Sequence, residues 1–174
     1  MHFIRHGQSE FNHAYDTIGI DPNIPDAPLT PQGRQQARRA GRQLAGKGIT
    51  RVIASPYTRA LQTASIIAEE INVPLHVEPL IGERVLYSCD IGTPARQLRA
   101  DWPHLDFSAI IDDNWWPQLG ESAQALTRRV AGFTEKWSPH AVSGDIAIVS
   151  HWYFLNALTG RDFANGEVHF KKIC

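Results

Sequence analysis

Cysteine is nearly missing from this chain. Only Cys89 and Cys174 occur among 174 residues, and neither belongs to a Cys-x-x-Cys pair. Two cysteines cannot build a disulfide framework, so stability has to come from a packed core, and a reducing compartment is expected. Long apolar runs are missing too. No window approaches the ~20 residues that a membrane helix requires. The first residues lack the apolar stretch of roughly 7–15 residues found in a signal peptide. Lys and Arg number 17 against 18 Asp and Glu, a net charge of -1, which leaves neither the electrostatic footprint of a nucleic-acid binder nor a polybasic membrane patch. There is no His-Glu-x-x-His, no zinc-type cysteine spacing and no P-loop, and there are no internal repeats or low-complexity tracts. These absences lead to the expectation of a single cytoplasmic domain over residues 1–174. No metal or cofactor and no nucleic-acid or membrane partner is expected.

What is present alternates. His2 to Arg5 reads as a strand. Thr30-Pro31 opens a helix that runs to about Ala45, with Thr as N-cap and Pro at the first helical position. Its arginines, Arg34, Arg38, Arg39 and Arg42, fall at helical spacing and read as a solvated basic face. Arg51 to Ala54 reads as a buried strand. Ser55-Pro56 repeats the cap signal and opens a helix with Leu61, Ala64, Ile67, Ala68 and Ile71 in 3.6-residue period, closed by Asn72-Val73-Pro74. Leu75 to Glu78 alternates like a strand. Glu121 to Trp137 is an amphipathic helix with Leu126, Val130, Phe133 and Trp137 on one face. Asp145 to Ser150 is the clearest buried strand, and Val168 to Lys171 reads as an edge strand. Strands alternating with helices predict an α/β fold, three-layer α/β/α around a mostly parallel sheet. Residues 84–120, with Pro94, Pro103, Pro117 and the Trp115-Trp116 pair, stand apart as an insertion near the site, holding one short helix near Pro94 to Trp102.

Three segments repeat one design, a short strand that ends in polar residues. They are Ile4-Arg5-His6-Gly7, Ile53-Ala54-Ser55 leading to Arg59, and Ile148-Val149-Ser150-His151. The carboxyl ends of parallel strands share one edge of the sheet, where ligands bind. That edge would gather two arginines and two histidines, a pocket suited to a phosphate dianion.

With these segments on view, the chain resembles the histidine phosphatase superfamily, the phosphoglycerate-mutase-like proteins. Five ordered motifs carry the resemblance. They are Arg5-His6-Gly7-Gln8-Ser9 with Asn12; Pro28-Leu29-Thr30-Pro31-Gln32-Gly33 with Gln36-Ala37; Ser55-Pro56-Tyr57-Thr58-Arg59-Ala60-Leu61-Gln62-Thr63-Ala64; Leu119-Gly120-Glu121-Ser122; and Val149-Ser150-His151. The resemblance implies a phosphatase acting on a small phosphorylated substrate, with His6 as the nucleophile, a covalent phosphohistidine and inorganic phosphate as product. Arg5, Arg59 and His151 would hold the phosphoryl oxygens together with His6 and Asn12. The proton donor would be Glu83, in Ile81-Gly82-Glu83, with Asp90 as the alternative. The family often places small residues after its late histidine, where Trp152-Tyr153-Phe154 stand here, as core packing or as a bulky wall. Ser9, Glu121 and Ser122 would support the site, and Trp115, Trp116 and Trp152 could stack on a sugar or base. Two rival readings are a phosphoglycerate mutase, although mutases of the family are longer, and a phosphoryl-binding protein without catalysis.

Overall fold

The computed structural model describes residues 1–140 and 144–173; Cys174, part of the cysteine argument, lies outside the described residues. Along the chain run β1 (His2–Arg5), α1 (Glu10–Ile18), α2 (Pro31–Leu44), β2 (Arg51–Ala54), α3 (Thr58–Ile71), β3 (Leu75–Val77), α4 (Ala95–Asp101), α5 (Ala123–Trp137), β4 (Ile146–Ser150), α6 (Trp152–Thr159) and β5 (Val168–Phe170). Short 3-10 turns occupy Pro79–Ile81, Ser88–Asp90 and Ser138–His140. The sheet order is β3-β2-β4-β1-β5. The first four strands are parallel, and β5 is antiparallel against β1. This is the mixed α/β fold that the alternation predicts.

Strand residues point alternately to two faces, and the core divides accordingly. Ile4, Val52, Ala54, Ala147 and Val149 pack with Leu44, Leu61, Ala64 and Ile67 of α2 and α3 and with Leu98 of α4. Phe3, Ile53, Ile146 and Ile148 pack on the other side with Leu126 and Phe133 of α5 and with Phe154 and Leu155 of α6. Central strands buried on both faces read as continuous apolar runs, which is why β4 was so legible.

Two local expectations need correction. Ser55 does not cap α3; Tyr57 holds the N-cap position and makes no side-chain cap bond. The Ser55 hydroxyl is instead committed to His151. The segment from Ser9 to Ile18 also forms a helix that propensity did not mark. Ser9 caps it with a reciprocal capping box to Asn12, where Asn stands in for the Glu or Gln that usually signals this box. The arginines of α2 are exposed, as expected of a solvated face.

Candidate active site

The carboxyl ends of β1, β2 and β4 open into a cavity of about 290 Å³. Arg5, His6, Asn12, Arg59, Glu83 and Asp90 all line it. Strand register brings them there. Arg5 pairs with Ser150 across β1 and β4, and the His6 N–H donates to the Ser150 carbonyl at 3.0 Å.

His6 is buried and its tautomer is determined. Nδ1 lies 2.7 Å from the Gly7 carbonyl. A carbonyl only accepts, so Nδ1 carries the proton and Nε2 keeps its lone pair. Burial, then Arg59 and Arg5, hold the ring well below the usual histidine range, so it is neutral at pH 7. The His151 ring lies 5.1 Å from the His6 ring and is fully buried behind it. Its Nε2 is 2.8 Å from Ser55 Oγ. Ser55 Oγ has no other partner among the described residues, so a satisfied hydroxyl proton requires Ser55 to donate. That puts the His151 proton on Nδ1, which is buried with no protein acceptor. His151 too is held neutral, by burial first and by Arg59 next.

Arg5 donates through Nη1 to the Phe163 carbonyl at 2.9 Å, while its buried Nε has no partner. Two buried N–H donors thus lack a protein partner, Arg5 Nε at the cavity and Nδ1 of His151, whose ring does not itself line the cavity but stands against His6; donors of this kind suit an anion. Arg59 enters from the first turn of α3. Nη1 donates to the Cys89 carbonyl at 2.6 Å and Nη2 to Asp90 at 3.0 Å, and its guanidinium lies 4.7 Å from the Tyr57 ring centroid. Asn12 accepts from the N–H and hydroxyl of Ser9 through Oδ1, which leaves the amide NH₂ as its free end.

The two carboxylates differ sharply. Asp90 Oδ1 accepts from Arg59, and Oδ2 accepts from the N–H groups of Leu86 and Tyr87. Both oxygens are thus occupied by donors. Glu83 Oε1 accepts from the N–H groups of Arg84, Tyr153 and Phe154. It caps α6, whose own N-cap residue, His151, makes no side-chain cap bond. Burial, and next the Asp90 charge, still raise Glu83 to about 7. Desolvation outweighs the backbone donors here.

Arg129 of α5 was missed in the sequence, and it fixes the turn that carries Glu83. It donates to the carbonyls of Leu80, Gly82 and Glu83 and forms a two-pronged pair with Glu121. Glu121 therefore supports the site through Arg129, Ser9 caps α1 and Ser122 caps α5. Trp152 and Tyr153 line the cavity, whereas Phe154 packs in the core. Trp115 and Trp116 do not line it. Trp115 donates to the Thr93 carbonyl and meets Tyr57 and Trp116 edge-on, a structural use of both rings. Phe11 and Tyr15 also reach the cavity. Their spacing of four on a helix was a readable signal once α1 is recognised. Among the described residues, no three His, Cys, Asp or Glu side chains are grouped to hold a metal ion.

The family model described as the histidine phosphatase superfamily (branch 1) matches residues 1–172. An adenosylcobalamin/alpha-ribazole phosphatase of Salmonella typhimurium is 31% identical over 163 residues, covering 91% of this chain and 76% of that protein. A probable phosphoglycerate mutase of an Enterobacter species is 30% identical over 141 residues, covering 75% of this chain and 59% of that protein. A mycobacterial glucosyl-3-phosphoglycerate phosphatase solved with vanadate shares the fold, with a TM-score of 0.63 at 24% identity over 92% of this chain and 78% of that one.

Proposed function

Since the chain belongs to the histidine phosphatase superfamily, we propose that it hydrolyses small phosphomonoesters through a covalent phosphohistidine on His6. The observation that carries this is the His6 ring, tied by Nδ1–H to the Gly7 carbonyl so that its free Nε2 sits in a cavity with Arg5 and Arg59. The His6 lone pair attacks phosphorus, and the bond from phosphorus to the leaving oxygen breaks. Arg5, Arg59, Asn12 and the His151 Nδ1–H hold the phosphoryl oxygens as charge develops. Protonated Glu83 gives its proton to the leaving oxygen. Its carboxylate then takes a proton from the water that attacks the phosphohistidine, which releases inorganic phosphate and neutral His6.

Glu83 suits the acid role and Asp90 does not. Glu83 is raised to about 7, near the optimum for proton transfer at neutral pH, whereas Asp90 has donors on both oxygens. Among the described residues Cys89 is buried and makes no disulfide, and no helix is long and apolar enough to cross a membrane.

The test is release of inorganic phosphate from p-nitrophenyl phosphate with 2,3-bisphosphoglycerate withheld. Steady release supports hydrolysis. Phosphoglycerate interconversion that depends on the bisphosphate, without phosphate release, would establish the mutase instead, and absence of either would leave a phosphoryl-binding protein.

A further inference from the structure

The cavity has two chemically distinct ends. Its phosphate end holds Arg5 and Arg59, and among the described residues these are its only arginine or lysine side chains. The remainder of the lining is largely aromatic. Phe11 and Tyr15 of α1 stack at 5.6 Å with their planes 15° apart. Tyr87 lies edge-on to Tyr15 at 5.5 Å and tilted against Phe11 at 5.8 Å. Trp152 and Tyr153, at the start of α6, form a second aromatic pair at 4.6 Å. Besides Glu83 and Asp90, which belong to the catalytic end, the one further charged side chain among the lining residues is Asp16, an exposed carboxylate close enough to Arg5 to interact with its charge.

We propose that the leaving alcohol of the natural substrate is uncharged and carries a flat ring with hydroxyl or N–H donors, as a nucleoside does. The proposal rests on the phosphatase reading above and narrows its substrate class. Flat rings gain from stacking on aromatic side chains whatever their exact identity. A donor on the ring or sugar finds an acceptor in Asp16. A leaving group with a carboxylate or a second phosphate meets the opposite environment. Both arginines are committed to the phosphoryl group, no third cation lines the cavity, and Asp16 repels a second anion.

Three kinds of ester separate the possibilities: a nucleoside 5′-monophosphate, ribose 5-phosphate as the same ester without the ring, and 3-phosphoglycerate as the anionic case. The expected kcat/KM order is nucleotide above sugar phosphate by about 10- to 100-fold, the scale of one stacked base, with phosphoglycerate lowest. Tyr15→Ala should collapse the nucleotide-to-ribose ratio toward one. Asp16→Lys, at an exposed position that tolerates change, should raise kcat/KM for phosphoglycerate. The wild type offers a readout independent of folding. A free nucleoside should inhibit p-nitrophenyl phosphate hydrolysis competitively, whereas ribose and glycerate should not. If phosphoglycerate is preferred, or if the ring brings no gain, this inference is overturned and the phosphatase reading stands. If no ester is hydrolysed, the phosphatase reading itself falls.

Discussion

Arg59 and Asp90 form an ion pair of 3.0 Å with both side chains only 3% exposed. A pair this deep is a liability when broken, because the remaining charge is buried alone. Asp90→Ala should therefore cost about 3–5 kcal/mol of stability, and Asp90→Asn, which keeps a hydrogen-bonding end, should cost less. Because this role is support, activity lost in Asp90→Asn should be equal for alkyl and nitrophenyl esters. Denaturant unfolding and paired kinetics check both statements. A loss confined to alkyl esters would make Asp90 the acid.

Glu83 should show that leaving-group dependence itself. An alkyl phosphate leaves as a strongly basic alkoxide and needs a proton, while nitrophenolate hardly does. Glu83→Gln should lose on the order of 10²–10⁴-fold on alkyl esters and much less in the first chemical step with nitrophenyl phosphate. In the wild type, kcat/KM for alkyl esters should fall above about pH 7, as the raised Glu83 ionises. Glu83→Gln should lack that limb. Pre-steady-state kinetics across pH separate the two steps, and an unchanged limb in the variant would reassign the acid.

Much of this site was legible in the sequence because its residues sit at the ends of short apolar strands with local signatures. Arg5, His6 and His151 each follow a buried run, and Arg59 follows one after a short turn. What escaped notice depends on contacts between distant segments. The α6 helix begins directly after β4, is apolar around much of its surface and has no local cap; its cap is Glu83, some 70 residues earlier. Ser55 looked like a helix cap because its true partner, His151, is 96 residues away. Gly7 and Gly33 likewise appear only as parts of separate motifs. In the fold their backbones touch: a Cβ on Gly7 would stand 2.3 Å from the Gly33 carbonyl oxygen, and one on Gly33 2.1 Å from that of Gln8. No side chain fits there, and the close approach docks the start of α2 beside the nucleophile.

Acid should weaken the fold in a definite way. His6 and His151 are held well below the usual histidine range, so below about pH 6.5 the unfolded chain takes up two protons that the folded chain refuses. Glu83 opposes this. Its raised folded value gives stability that is present below the ordinary carboxylate range and lost as pH rises through about 7. Between about pH 4.5 and 6 the balance is one net proton, so stability should fall by roughly 1.4 kcal/mol per pH unit on acidification. Urea unfolding at pH 7, 6, 5 and 4 measures this, and Glu83→Gln should steepen the fall between pH 6 and 5. A stability that is flat from pH 7 to 5 would mean that the two imidazoles are not buried neutral.

The central claim is that phosphorus becomes bonded to His6. Wild-type protein mixed with phosphate-labelled ester and quenched in alkali within milliseconds should hold up to one phosphoryl group per chain. The label should be lost in acid and map to the peptide bearing His6, and His6→Ala should carry no label and release no phosphate. Label on another residue, or turnover by His6→Ala at the wild-type rate, would contradict the account.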